Sequence, residues 1–176
     1  MFFSKFMEWK NIKMPRITID EYYLGVAKSV AARSTCLRRQ YGAVVVKNKE
    51  IIATGYNGAP RGEANCCEIG TCLRKNAIHN AGDYSDCRSV HAEMNCIISA
   101  SRNEMLGSTL YLVGFENGQL IENCEPCNIC QRLIKNAGIS RVVTNSNISD
   151  TNISDTNITI EATYLNGTKI ELIEES

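Results

Sequence analysis

The sequence has few histidines and no net charge. Only two of its 176 residues are histidine, and nineteen basic side chains balance nineteen acidic ones. A neutral chain lacks the basic surface that long nucleic acids require, so we expect no partner of that kind. We expect a small substrate instead.

Long apolar runs are also missing. No stretch approaches the roughly 20 apolar residues of a membrane-spanning helix. Near the N-terminus, charged residues interrupt the apolar ones at Lys5, Glu8, Lys10 and Lys13. This pattern lacks the continuous apolar core of a secretory signal. We therefore expect no membrane partner and a cytoplasmic location.

Cysteine, in contrast, is abundant, with nine residues. In a reducing cytoplasm, clustered cysteines indicate metal binding or catalysis rather than disulfides. An odd number would in any case leave one thiol without a disulfide partner.

The length suits one compact domain. We divide the chain into an N-terminal extension (1–16), a folded domain (17–145), an Asn-rich repeat loop (146–160) and a C-terminal segment (161–176). The repeat NISDTNISDTNI has little apolar surface to bury, so we expect a loop there. A closing strand is predicted at residues 169–173.

Apolar periodicity and turn residues predict a mixed α/β fold. The predicted elements are a helix capped by Asp20 and ending near Ser34, strands at 43–46 and 51–54, a helix from His91 to about Ser101, a strand at 109–115, a turn at Asn117-Gly118, a helix from Pro126 to Ala137 ending at Gly138, and a strand at 141–144. On the helix that begins at His91, Ile98 is predicted to be buried.

Two short motifs, VHAEMNC and EPCNIC, carry the chemistry. Cys127 and Cys130 are three residues apart, so both thiolates can face one point at a helix start. Adding His91 gives three ligands and leaves the fourth position of a tetrahedral zinc open, as in catalytic sites. Glu93 is too close to His91 to be a comfortable ligand, yet it can touch whatever fills that position. This is the H-x-E and P-C-x-x-C signature of zinc deaminases.

Each motif alone has a simpler explanation. C-x-x-C is common in structural zinc and redox sites, and His-x-Glu occurs by chance. Both motifs together, each at a predicted helix start, favour a catalytic zinc site.

The wider sequence resembles the deoxycytidylate deaminase branch of the cytidine deaminase-like superfamily. GAVVVKNKEIIATGYNGAPRG, VHAEMNCI, STLYL and PCNICQRLIKNAGISRVV carry the resemblance over about residues 19–145. It implies a three-layer α/β/α sandwich with a five-stranded mixed sheet, and zinc where two helix N-termini meet.

The activity implied by this resemblance is deamination of dCMP to dUMP and ammonia, in pyrimidine deoxynucleotide metabolism. Glu93 would move protons between water and the base, and the Ala92 N–H would contact the base. The alternatives are deamination of dCTP, cytidine or tRNA adenosine, or a non-catalytic zinc or nucleotide-binding protein. The neutral charge disfavours the tRNA substrate, and the intact Glu93 disfavours a non-catalytic protein.

The resemblance also implies contacts with the rest of the nucleotide. Asn57 would bond the sugar, although Asn57-Gly58 also fits a plain turn. The same loop would contact dCTP or dTTP with Mg²⁺ in regulated members, and a homo-oligomer, a hexamer or smaller, is expected. Guanidinium groups match phosphate. The phosphate candidates are Arg61 first, then Arg33, Arg38, Arg39 and Arg88.

A second, structural zinc occurs in some phage-type members of this family. Cys36 and Cys66 stand where two of its ligands would lie, but Ser89 replaces an expected glutamate. The predicted ligands are the thiolates of Cys36, Cys66, Cys72 and Cys87. Cys67 is an alternative to Cys72 or Cys87 as a ligand. The alternative is buried free thiols.

One segment departs from the family pattern. GFENGQLIEN, at residues 114–123, lies between the third strand and the C-x-x-C motif, where the family usually has a few residues. We expect an extended strand or a short hairpin near the pocket mouth. The second histidine, His79, lies in a polar segment and is predicted to be exposed.

Overall fold

A mixed β-sheet forms the centre of the computed structural model, which describes residues 16–76, 86–122, 124–144 and 162–163. Its strands are β1 (Arg39–Lys47), β2 (Glu50–Tyr56), β3 (Thr109–Glu116), β4 (Gln119–Leu120), β5 (Arg141–Thr144) and β6 (Ala162–Thr163). Five strands lie side by side in the order β2-β1-β3-β5-β6, and β4 pairs with the end of β3. β3 and β5 are parallel, whereas the other pairs are antiparallel.

Helices cover both faces of this sheet. They are α1 (Ile19–Ala31), α2 (Cys66–Ile69), α3 (Ala92–Ile97), α4 (Arg102–Met105) and α5 (Asn128–Ala137). On one face, α1 packs through Leu24 and Ala27 against Val44 and other strand residues. On the other face, Ala92 of α3 and Ile134 of α5 share a core with the neighbouring strand positions. The expected three-layer α/β/α sandwich with a mixed sheet is therefore confirmed.

The first helix begins differently from the prediction. Thr18, not Asp20, is its N-cap, and Thr18 and Glu21 form a capping box. The Asp20 carboxylate instead accepts hydrogen bonds from Tyr111 Oη at 2.6 Å and from Arg141 Nη2 at 2.7 Å. A tertiary ion pair has therefore taken Asp20 away from the capping role, and the helix ends at Ala31 rather than near Ser34.

The helix predicted from residue 91 to about 101 is in fact two helices. α3 ends at Ile97, and Ser101 caps the separate α4 with its own capping box. Ile98, predicted to be buried, is 73% exposed because it lies at the end of α3, beyond the last packed turn.

The fifth helix, α5, also starts two residues later than predicted. Its N-cap is Cys127, so Pro126 lies just outside the helix rather than in its first turn. The predicted end at Gly138 is confirmed, where the backbone is left-handed with φ of 81°.

Two tight turns connect antiparallel strands. Asn48 and Lys49 both have positive φ between β1 and β2, which joins strands longer than those predicted. Asn117 and Gly118 have φ of 53° and 76° and lead β3 into β4. Such turns match the twist of paired strands. The inserted segment is therefore a short hairpin.

Several predictions concern residues outside the described part of the chain. These are the N-terminal extension up to residue 15, the repeat loop at 146–160, His79 and the closing strand at 169–173. Of the helices that are described, none has the combination of length and apolar character needed to cross a membrane.

Glycine at position 55 allows α3 to lie directly on β2. A Cβ atom built there would collide with the Ala92 carbonyl oxygen and the Cys96 amide nitrogen of α3. Both are backbone atoms, so no side-chain rotation can relieve the collision. The position of α3 therefore depends on the absence of a side chain at this point of the strand.

We predict that Gly55→Ala lowers the free energy of unfolding by about 1–3 kcal/mol, the usual cost of overpacking. Gly25→Ala is the matched control, because a Cβ at this exposed helical position meets nothing within 4 Å. It should be neutral or stabilise by up to about 1 kcal/mol. Urea unfolding of both variants measures the difference, and equal midpoints would contradict the proposed close contact.

Candidate active site

The N-termini of α3 and α5 meet at one point. His91 is the N-cap of α3, Cys127 is the N-cap of α5, and Cys130 lies one turn further along α5. The His91 Nδ1 atom is 3.5 Å from Cys127 Sγ and 3.4 Å from Cys130 Sγ. Within the described ranges, this is the only group of three or more candidate metal ligands whose atoms all lie within 4.8 Å of one another.

Two of these candidate ligands, His91 and Cys127, stand where ordinary helix caps would be. Neither His91 nor Cys127 makes a side-chain capping hydrogen bond. Their carbonyl groups still accept the first helical hydrogen bonds, from Asn95 N at 3.0 Å and Gln131 N at 2.9 Å. Each backbone therefore begins a regular helix without a capping hydrogen bond from the side chain.

Side chains of both helices hold these starts in place. Asn95 Nδ2 donates to the Tyr56 carbonyl at 2.8 Å, which ties α3 to the end of β2. Gln131 Nε2 donates to the Pro126 carbonyl at 2.9 Å, which fixes the chain entering α5. The three ligand atoms thus lie on restrained backbone.

The protons of this group are shared. Donation from Cys130 and from His91 lowers the pKa of Cys127 to about 3, against the effect of burial. The hydrogen bond to Cys127 raises the pKa of His91, and the pKa of Cys130 rises because it gives its hydrogen to Cys127. A divalent cation would replace these protons, since metal ligands bind in their deprotonated forms. Two thiolates and one imidazole are a donor set that fits Zn²⁺.

Glu93 is a buried carboxyl group beside these ligands. It is 5% exposed, and its burial raises its pKa above the ordinary value. A carboxyl group with a raised pKa can both accept and return a proton near neutral pH.

A cavity of about 90 Å³ opens onto this group. Its lining includes His91, Ala92, Glu93 and Cys127 from the two helix starts, together with Arg38, Arg39, Tyr41, Asn57, Arg74 and Glu125. The cavity thus joins the carboxyl group and the ligands to a wall that carries three guanidinium groups.

Asn57 lines the cavity, but its side-chain amide makes hydrogen bonds with neighbouring residues of the protein. Its Oδ1 accepts from Tyr41 N at 2.7 Å and from Ser34 Oγ at 2.6 Å, and its Nδ2 donates to the Arg39 carbonyl at 2.8 Å. Asn57 therefore fixes the loop after β2 to the start of β1. The sugar contact expected of it stays a prediction.

The arginines divide into two groups. Arg38 and Arg39 line the cavity, whereas Arg33, Arg61 and Arg88 are exposed and are not part of its lining. The structure therefore does not bring Arg61, the first candidate, to this cavity.

Sequence reasoning missed three of these lining residues, Tyr41, Arg74 and Glu125. Tyr41 could have been found, because it alternates along β1 with Ala43 and Val45, which face the α3 and α5 side of the sheet. No local pattern indicates Arg74, which depends on the path of a loop.

The four cysteines predicted to bind a second zinc lie in one neighbourhood. Cys36, Cys66, Cys72 and Cys87 line a common cavity. Burial, followed by the charges of the other three sulfurs, raises the pKa of Cys66. No three of these sulfurs lie within 4.8 Å of one another, although all four residues are among those described. The alternative ligand Cys67 is exposed.

The α/β/α fold and the His-Cys-Cys group beside a buried glutamate define the class of zinc-dependent deaminases. Residues 17–146 match the family model of the cytidine and deoxycytidylate deaminase zinc-binding region. The chain belongs to this family.

Individual relatives agree with this assignment. The chain is 43% identical over 136 residues to the deoxycytidylate deaminase of Mycobacterium phage D29, covering 74% of this chain and 96% of that protein. It is 38% identical over 129 residues to the deoxycytidylate deaminase of Schizosaccharomyces pombe, covering 73% of this chain but only 37% of the yeast protein.

Solved structures show the same fold. The crystal structure of the dCMP deaminase from cyanophage S-TIM5 in apo form has a TM-score of 0.51 and 30% identity, covering 72% of this chain and 82% of that one. The structure of the same enzyme in complex with dCMP and dUMP gives the same score and identity, covering 79% of its chain.

We predict that His91→Ala loses about one equivalent of zinc per chain, since three protein ligands are the minimum of a catalytic zinc site. His79→Ala, which changes the other histidine of the sequence, is the control and should keep its zinc. Metal analysis of the purified variants provides the measurement. Equal zinc content in the two variants would contradict the assigned ligand.

Proposed function

We propose that this protein catalyses the hydrolytic deamination of dCMP to dUMP and ammonia. The observation that carries the proposal is the buried Glu93 beside the His91, Cys127 and Cys130 group, at the base of one cavity. The deoxycytidylate deaminases among its relatives support dCMP as the substrate.

Glu93 is the proton-transfer group of this mechanism. Zinc, when bound, supplies Lewis-acid activation, lowering the pKa of water from 15.7 towards about 7. Glu93 accepts a proton from the attacking water and delivers it to N3 of cytosine, while a C4–O bond forms. Glu93 then takes the proton of the new C4 hydroxyl group and gives it to the amino group, so that C4=O forms, the C4–N bond breaks and ammonia leaves. One carboxyl group can serve both steps because it is held in place and shielded from solvent.

Other lining residues would bind the rest of the nucleotide. Ala92 is fully buried between His91 and Glu93, where its backbone N–H can contact the base. The guanidinium groups of Arg38, Arg39 and Arg74 suit the 5′-phosphate. They favour a nucleotide over free cytidine as the substrate.

The test of this function is a substrate panel of dCMP, dCTP, cytidine and a tRNA anticodon stem, assayed for ammonia release. We expect dCMP to have the highest kcat/KM. Running the panel with and without dCTP–Mg²⁺ and dTTP–Mg²⁺, on samples of known oligomeric state, also tests the predicted effector and homo-oligomer. A different preferred substrate would overturn the assignment.

Within the same assay, Glu93→Gln should retain zinc and lose about 10²–10⁴-fold in kcat, the usual contribution of general acid–base catalysis. Glu125→Gln is the matched control, because Glu125 lines the same cavity but is exposed. A Glu93→Gln variant with normal turnover would contradict the proton-transfer role.

We further propose a second zinc, bound by the thiolates of Cys36, Cys66, Cys72 and Cys87. Their shared cavity and the charge interaction of three of them with Cys66 support this site. Four thiolates form a closed, structural type of zinc site. Binding would draw the sulfurs together from their present separation.

This second site predicts about two zinc equivalents per chain in the wild-type protein and about one in Cys66→Ser. Cys67→Ser, which changes the exposed neighbouring cysteine, should keep both. Metal analysis combined with thermal unfolding measures the effect. A wild-type content of one equivalent would exclude the second zinc.

A further inference from the structure

One carboxylate bridges two arginines in the wall of the cavity. Glu116 Oε2 accepts a hydrogen bond from Arg39 Nη2 at 2.8 Å, and Glu116 Oε1 lies 3.8 Å from Arg38 Nε. Both arginine side chains are more than four-fifths buried, with exposures of 19% and 17%. Each oxygen of the carboxylate therefore faces a different guanidinium group.

The sheet fixes this arrangement. Glu116 and Arg39 are directly opposite each other in the antiparallel pairing of β3 with β1. Directly opposite side chains in a sheet are close enough to interact. Consecutive residues of a strand point to opposite faces of the sheet, but Arg38 lies in the bend just before β1. Its side chain can therefore line the same cavity as that of Arg39. Glu116 is also the last residue before the Asn117-Gly118 turn of the inserted hairpin.

Further contacts orient both guanidinium groups. Arg38 Nη1 donates to the Arg74 carbonyl at 2.8 Å, and Arg39 also hydrogen-bonds the Tyr41 side chain. The Arg39 Nε atom is buried and has no hydrogen-bond partner. An unused buried donor is costly unless a ligand pairs with it. Arg39 is thus held in place by its contacts with Glu116 and Tyr41.

The charges of this wall match a phosphate monoester. Three arginines and the Glu116 carboxylate leave a net charge of about +2, and a phosphate monoester carries about −1.5 to −2 near pH 7. The acidic residues of the cavity lining itself are Glu125, which reduces this positive charge, and the buried Glu93. We propose that Glu116 is a positioning residue, which holds Arg38 and Arg39 for the 5′-phosphate and so sets the preference for a nucleotide over a nucleoside. This inference rests on the proposed function.

The test replaces the carboxylate by an amide of the same shape. A glutamine has one acceptor oxygen and one NH₂ donor, so in Glu116→Gln one of the two arginines would face a donor instead of an acceptor. We expect the ratio of kcat/KM for dCMP to that for deoxycytidine to fall about tenfold or more, through KM for dCMP. A general loss of structure would lower kcat/KM for both substrates and leave their ratio unchanged.

Glu122→Gln is the matched control, because Glu122 is an exposed glutamate just after β4 that does not line the cavity. Arg38→Lys is a second variant. It keeps the positive charge but loses the planar guanidinium group that can form bidentate hydrogen bonds, so it should lower the same ratio. An unchanged ratio in Glu116→Gln, or a rise in dCMP turnover on removal of the negative charge, would overturn the inference while the proposed function stands. A wild-type protein inactive on both substrates would overturn the proposed function and the inference with it.

Discussion

The structure depends on bringing an imidazole and two sulfurs together from distant parts of the sequence. Cys127 and Cys130 follow His91 by 36 and 39 residues, and the two chain segments meet only because α3 and α5 lie on the same face of the sheet. Gly55 lets α3 approach β2 closely. The parallel pairing of β3 with β5 gives α5 its place as the connection between them. The sheet thus positions His91, Cys127 and Cys130, although none of the three lies on a strand.

The two helices that form this site do without ordinary capping. α1 and α4 begin with capping boxes at Thr18 and Ser101, whereas α3 and α5 begin with His91 and Cys127, whose side chains make no capping bond. Glu93 adds a buried carboxyl group, which is costly for folding. Departures of this kind from local stability rules are expected at functional sites. Here they coincide with the candidate metal ligands His91 and Cys127 and with the buried Glu93.

Sequence reasoning succeeded where the signal was local and failed where it was not. The two motifs indicated which residues lie at helix starts, because ligand spacing follows helical geometry. Asp20 looked like a cap by the same local logic, but its partner Arg141 is 121 residues away. Arg39 could be proposed only as one phosphate candidate among several, since its place in the cavity depends on pairing with Glu116, 77 residues away. Contacts across the sheet have no signature in a single stretch of sequence.

The residues of the site fall into the same two groups, those that a local motif indicates and those that long-range contacts place. The reacting groups sit at restrained helix starts, where small displacements would be damaging. The guanidinium groups of the cavity wall come from the start of β1, the bend before it and the loop containing Arg74. Glu116, which contacts Arg38 and Arg39, leads into the inserted hairpin. Loops and hairpins tolerate insertion better than packed helix starts. Through Glu116, the inserted segment contacts two arginines of the cavity wall rather than the helix starts that carry His91 and Glu93.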